Sequence, residues 1–241
     1  MIHLEPYKPG GYSRPLDNEG FPGYSIDLYG NIYEETGKIA LTLLDGVMWK
    51  ASVKLADGKR SWVTIDRLGA KVFWDMDISE IKSLAPDMPK RLLSAIAEAK
   101  SFKMLSVNDR RYLRDIPYLD DYEDTKDGVY VVTRYGDIWN EVRLQKVTPS
   151  RGPSGYPVVT VLHNEKYARA KSCAYPIKVA WLVALAFVPL PDGFSGNPRK
   201  TLEIHHKDTN IQNSRWDNLL WCMDHSEHLN TYHQERPRRH S

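Results

Sequence analysis

The sequence predicts an α+β protein: a small β-sheet-plus-helix module present twice, followed by a compact strand–strand–helix unit. Three observations predict it. Two stretches share a frame, "YSIDLYGNIY" at Tyr24–Tyr33 and "YVVTRYGDIW" at Tyr130–Trp139. Two apolar stretches follow them in the same order, "DRLGAKVFW" at Asp66–Trp74 and "AWLVALAFV" at Ala180–Val188. Five of the eight histidines fall in "EIHHKDTNIQNSRWDNLLWCMDHSEHLNTYH", Glu203 to His233.

The first module, a diverged β-rich copy, occupies residues 1–78 and is best defined from about residue 20. Its Tyr-Gly-Asn-Ile step reads as a hairpin turn, because Gly and Asn tolerate positive φ. "MWKASVKLADGKRSWVTI" continues as two strands around an "ADGK" turn. "DRLGAKVFW" then spaces its apolar residues as a short buried helix does. Residues 79–127 form a helical connector and an acidic linker. Leu92, Leu93, Ile96 and Ala99 fall on one helical face behind bounding prolines, and "DIPYLDDYEDTKDG" follows. The second module, 128–190, repeats the landmarks, with "YPVVTVLHNEKYARAKSCAYPI" as its strand pair. Pro/Gly-rich "PLPDGFSGNPRK" closes it. Residues 191–235 hold the histidine-rich unit, and 236–241 form a basic tail.

Composition narrows the function classes. At 41% hydrophobic and 27% charged, the chain can bury a core. A net charge of +2 excludes a uniformly basic nucleic-acid coat. Charge is uneven: residues 1–127 hold 18 Lys and Arg against 21 Asp and Glu, while residues 128–241 hold 15 against 10. A polyanion partner is therefore expected on the second half. Two cysteines, Cys173 and Cys222, make neither a disulfide framework nor a cysteine-rich zinc site. The longest apolar run, "VAWLVALAFVPL", is too short to cross a bilayer. The start of the chain lacks an apolar signal core, so a cytoplasmic protein without membrane contact is expected. The sequence sets no oligomeric state.

Clustered imidazoles point to metal binding or proton transfer. "LEIHHKD" reads as a short strand ending in His205 and His206. "TNIQNSRWDN" suits a tight connection held by side-chain-to-backbone hydrogen bonds. "NLLWC" reads as a returning strand or turn, and "DHSEHLNTYHQE" as a helix.

These residues resemble the HNH endonuclease family, in the phage and intron-encoded homing branch, where a β-rich module precedes the nuclease core. The motif residues are the His205–His206 pair, Asn218 in "DNLLW" and His228 in "SEHL". "YVVTRYGDIW" and "WLVALAFVP" are similar to the preceding module. The resemblance covers residues 128–233 and implies a ββα-metal core that hydrolyses DNA phosphodiester bonds with one divalent metal ion. Mg²⁺ is named first, with Mn²⁺, Ni²⁺ or Zn²⁺ as alternatives. It implies His206 as the catalytic base, Asn218 as the residue that orients the His206 segment, and His205 and His228 as metal ligands. Thr209 stands where the family has Gly. The spacing from Asn218 to the third ligand is one residue longer than usual, so Glu227 competes with His228 for that position. Expected DNA contacts on the second module are Arg134, Arg143, Lys146, Arg151, Lys166, Arg169 and Lys171. An inactive HNH scaffold, serving as a nucleic-acid-binding, regulatory or virion structural protein, fits the same residues, and metal-dependent nicking separates the two readings.

Overall fold

The computed structural model describes residues 11–46, 48–119, 122, 124, 128–163 and 174–223. Helices and antiparallel sheets occur together, as an α+β protein requires. Two compact units divide between Met104 and Leu105.

In the first unit, β1 (Ser13–Pro15), β2 (Tyr24–Asp27) and β3 (Ile32–Glu34) form one antiparallel sheet. The β2–β3 turn is closed by the Gly30 amide donating to the Asp27 carbonyl at 3.0 Å. The buried Asp27 carboxylate accepts from the amides of Tyr29 and Asn31, the Asn31 side chain and the Tyr33 hydroxyl, all at 2.8–2.9 Å. A buried carboxylate is tolerated only when its lone pairs are met in this way. Gly30 has φ +86°, and a Cβ there would stand 2.7 Å from Ile65 Cγ2.

A second sheet joins β4 (Thr42–Asp45), β5 (Met48–Lys54) and β6 (Arg60–Thr64). It runs directly into α1 (Ile65–Phe73), which buries Ile65, Leu68, Ala70 and Phe73. The next helices are α2 (Ile78–Leu84) and α3 (Lys90–Lys103). The helix foreseen between the modules is α3, and its Leu92 and Ile96 enter the core of this first unit with Ile26, Val53 and Phe73. Gly69 permits that approach, since a Cβ on it would sit 2.3 Å from Leu92 Cδ1. Arg14 donates to the Val72 carbonyl at 2.7 Å and to Asp75, tying β1 to the end of α1. A cation there also complements the helix dipole.

The second unit begins with a four-stranded sheet in the order β10-β9-β8-β7, from β7 (Arg110–Tyr112), β8 (Tyr130–Thr133), β9 (Ile138–Asn140) and β10 (Gln145–Val147). Its β8–β9 turn repeats the hydrogen-bond pattern of the β2–β3 turn. The Gly136 amide donates to the Thr133 carbonyl at 3.1 Å, and Gly136 has φ +89°. Thr133 Oγ1, accepting from the Asp137 amide, stands where Asp27 does the same.

A three-stranded sheet follows, from β11 (Ser150–Arg151), β12 (Pro157–His163) and β13 (Ala174–Lys178), leading into α4 (Val179–Phe187). α4 packs against β8, β12 and β13. It also touches the final strand pair, β14 (Glu203–His206) and β15 (Leu219–Cys222). Contact on several sides explains why its sequence is apolar almost all round. The short α5 (Pro198–Thr201) precedes β14, capped by Asn197 Oδ1 on the Arg199 amide at 3.0 Å.

Gly30→Ala is expected to lower the unfolding free energy of the first unit by about 1–3 kcal/mol, from the positive φ and the Ile65 clash. Urea unfolding checks this. A change within about 0.5 kcal/mol would show that the turn relaxes without cost.

Candidate functional site

Four residue pairs join β14 to β15: Glu203 with Cys222, Ile204 with Trp221, His205 with Leu220 and His206 with Leu219. Side chains alternate along a strand, so His205 and His206 leave opposite faces. Both imidazoles are nevertheless 4% exposed. His206 lies beside the Tyr156 ring, with centroids 5.8 Å apart and planes tilted by 45°. The Lys178 ammonium lies over the Tyr156 ring, 4.2 Å from its centre. Trp221 is fixed by Nε1 donating to the Val188 carbonyl at 3.1 Å and by an edge-on contact with Trp181.

Residues 207–218 connect the two strands through a knot of side-chain bonds centred on Asn218. Asn218 Oδ1 accepts from the Asp208 amide at 3.0 Å. Its Nδ2 donates to Asp208 Oδ1 at 2.9 Å and to the Asn213 carbonyl at 2.8 Å. Asn213 Nδ2 donates to Asp208 Oδ2 at 2.7 Å, and the Asn210 amide donates to Asp208 Oδ1 at 2.9 Å. The Lys207 amide bonds the Asn218 carbonyl at 2.8 Å, continuing the ladder by one step. Thr209 takes φ 60°. The position where Gly is usual therefore does need a left-handed residue, and Thr adopts that conformation, with its amide donating to the His206 carbonyl at 2.9 Å. These bonds hold the Asp208 carboxyl below the usual carboxylate range. The Asn213 bond is the largest cause and the Asn218 bond the next.

The β8–β9 hairpin braces this connection. The Trp216 amide donates to the Arg134 carbonyl at 2.9 Å, and the Arg134 guanidinium lies 4.8 Å from the Trp216 ring centre. Gly136 packs on the same segment: a Cβ there would meet Ser214 O at 3.3 Å. Gln212 Nε2 donates to the Gly155 carbonyl at 2.9 Å.

The residues expected at the site divide as follows. His205, His206 and Asn218 come together on the strand pair and its connection. His228 and the competing Glu227 lie outside the described residues, as does the expected helix around them. Among the expected DNA contacts, Arg134 pairs with Asp109 at 3.4 Å and Lys146 with Asp137 at 2.5 Å, so a carboxylate already offsets each charge. Arg143 is partly exposed near β9, and Arg151 is exposed on β11. Lys166, Arg169 and Lys171 lie outside the described residues. Sequence reasoning missed Asp208 as the acceptor at the centre of the knot, and Tyr156 as the neighbour of His206. The local "KDTN" pattern carries the signal for Asp208, as an Asx turn. Tyr156 has none, being 50 residues from His206 in the chain.

The described donors only partly fit a metal ion. Among the described residues, no three His, Cys, Asp or Glu side chains are grouped to hold one. The Asp208 oxygens already accept three hydrogen bonds. Imidazoles such as those at the end of β14 are of a donor type that suits a divalent cation.

No family model matches the chain, and no curated protein is similar to it. One solved structure, of DNA binding and cleavage by the HNH homing endonuclease I-HmuI, is similar at 21% identity and a TM-score of 0.32. The similarity covers 46% of this chain and 56% of that one, so this chain matches little more than half of its length. Among the described residues no helix is long and apolar enough to cross a membrane.

The Asp208 folded-state pKa is depressed. Its contribution to stability is therefore complete above the ordinary carboxylate range and is lost as pH falls through the depressed value. Asp208→Asn is expected to flatten the acid side of the stability curve, measured by urea unfolding from neutral pH to about pH 2.5. An unchanged acid limb would remove Asp208 from the account.

Proposed function

We propose that the chain is an HNH-type endonuclease that hydrolyses DNA phosphodiester bonds with one divalent metal ion, of the phage or mobile-element kind. One observation carries this reading: a histidine pair ends a strand whose connection to the return strand is tied by the Asn218 carboxamide. Phosphodiester hydrolysis needs an activated water, a neutralised phosphate and a stabilised leaving oxygen. In this reading His206 accepts the proton of the attacking water at a ring nitrogen. Tyr156 limits the rotation of that ring. Asn218 positions the His206 segment and touches no reacting atom. His205 and His228 would hold the cation, Mg²⁺ first and Mn²⁺, Ni²⁺ or Zn²⁺ as alternatives. When bound, such an ion supplies Lewis-acid stabilisation of charge on the phosphate and the departing 3′ oxygen.

The reading includes a duplicated β-module, the second copy serving DNA contact. Its support is the shared turn, with Gly30 and Gly136 both at positive φ and the same amide-to-carbonyl closure. Further support is the shared order of a hairpin, a three-stranded sheet and a nine-residue helix, α1 and α4.

Plasmid incubated with the protein and a panel of divalent metals tests the activity. Nicking or linearisation that chelation abolishes is expected, and no cleavage with any metal would contradict the reading. His206→Ala is expected to lower the rate at least about 100-fold, the usual size of a lost general base, while leaving DNA affinity within about twofold. Wild-type cleavage by this variant would remove its role. His228→Ala is expected to weaken metal affinity and cleavage while Glu227→Ala changes little. The reverse pattern, read by metal titration, would exchange the two assignments.

A further inference from the structure

An open groove of about 640 Å³ lies in the second unit. Tyr135, Arg151, Gln212, Asn213, Ser214 and Arg215 line it. We propose that it seats one phosphodiester strand of nucleic acid, with Arg151 pairing a phosphate and the Ser214 hydroxyl donating to a phosphate oxygen. The proposal takes the polymer class from the nuclease reading, and its test measures binding apart from cleavage.

Three features favour an anionic strand. First, the charge balance is positive. Asp137 is neutralised by Lys146 at 2.5 Å, and Arg215 by Asp217 through two bonds at 3.1 and 3.2 Å. Arg151 has no carboxylate partner among the described residues. Second, Ser214 is 5% exposed, and its Oγ has no hydrogen-bond partner among the described residues. A buried hydroxyl left unmatched is costly, and a phosphate oxygen in the groove would match it. Third, Tyr135 stands 43% exposed at the rim, with the Arg215 guanidinium 5.4 Å from its ring centre. An exposed aromatic ring beside a guanidinium offers a base a surface to stack on without reading its sequence.

The groove is walled in part by the connection that follows the histidine pair. One wall is the 207–218 connection, braced by Trp216 on Arg134 and by Gln212 on Gly155. Asn213 lines the groove while bonding Asp208. Pro157 on the opposite wall follows Tyr156, the neighbour of His206.

The test uses the full chain, fluorescently labelled single-stranded DNA, duplex DNA and single-stranded RNA, with anisotropy read across a salt series. Arg151→Gln should weaken binding about fivefold to tenfold and lower the salt slope by about one phosphate contact. Ser214→Ala should weaken binding about threefold to tenfold with no loss of thermal stability, which separates ligand contact from a structural role. Lys59→Gln, exposed in the first unit, should bind as the wild type does. Preference for DNA or equal binding of DNA and RNA both support a phosphodiester seat, and differ only in which polymer it serves. The proposal is overturned if both groove variants keep wild-type affinity and slope, if no strand binds the wild type, or if polyglutamate competes as well as the oligonucleotides. Cleavage by the wild type together with unimpaired variants would sink the groove alone. Binding without cleavage would uphold the groove and sink the nuclease reading.

Discussion

Two four-residue strands are marginal in water unless something fixes how they are joined. In β14–β15 that constraint is the Asn218 carboxamide. Its oxygen accepts the Asp208 amide, and its nitrogen is divided between the Asp208 carboxylate and the Asn213 carbonyl. Asparagine carries an acceptor and two donors on one planar group, and this position uses both kinds. Aspartate there would lose the donors and set a second carboxylate against Asp208. Alanine would leave the Asp208 amide without that acceptor. The closure begins two residues after His206, at Asp208.

The rest of the second unit supports the closure from outside. α4 touches both β14 and β15 as well as three strands of the preceding sheets, so the strand pair is packed against a helix that is itself held on several sides. The β8–β9 turn reaches the far end of the connection, where Gly136 leaves room for Ser214 and Arg134 receives the Trp216 amide. This gives the Tyr-Gly turn a use beyond hairpin formation. In the first unit Gly30, at the similarly closed β2–β3 turn, faces Ile65 at the start of α1.

Much of the local structure is legible in the sequence, because it depends on neighbouring residues. The Tyr-Gly-Asn/Asp-Ile steps form turns at Gly30 and Gly136, since only a residue tolerant of positive φ closes them. The spacing of Leu92, Ile96 and Ala99 places one face of α3 in a core. The polar run after His206 is a tight, side-chain-bonded connection, as its Asn and Asp content implies. Contacts between distant segments are not legible. Nothing in the local pattern places Tyr156 beside His206, or Asp109 and Asp137 against the arginine and lysine expected to meet DNA. A basic residue on a strand has the same sequence signature whether it faces a phosphate or an aspartate. Left-handed Thr209 is a further case: the turn requires the conformation, and the surrounding bonds impose it on a residue that disfavours it.

The Asn218 side chain closes the connection that follows the histidine pair. Amide hydrogen exchange on Asn218→Ala, compared with the wild type residue by residue, tests it most directly. The Asp208 and Asn210 amides are expected to lose most of their protection while the β12–β13 ladder keeps its own. Wild-type protection at Asp208 in the variant would contradict it, because that amide would then owe its order to something other than Asn218.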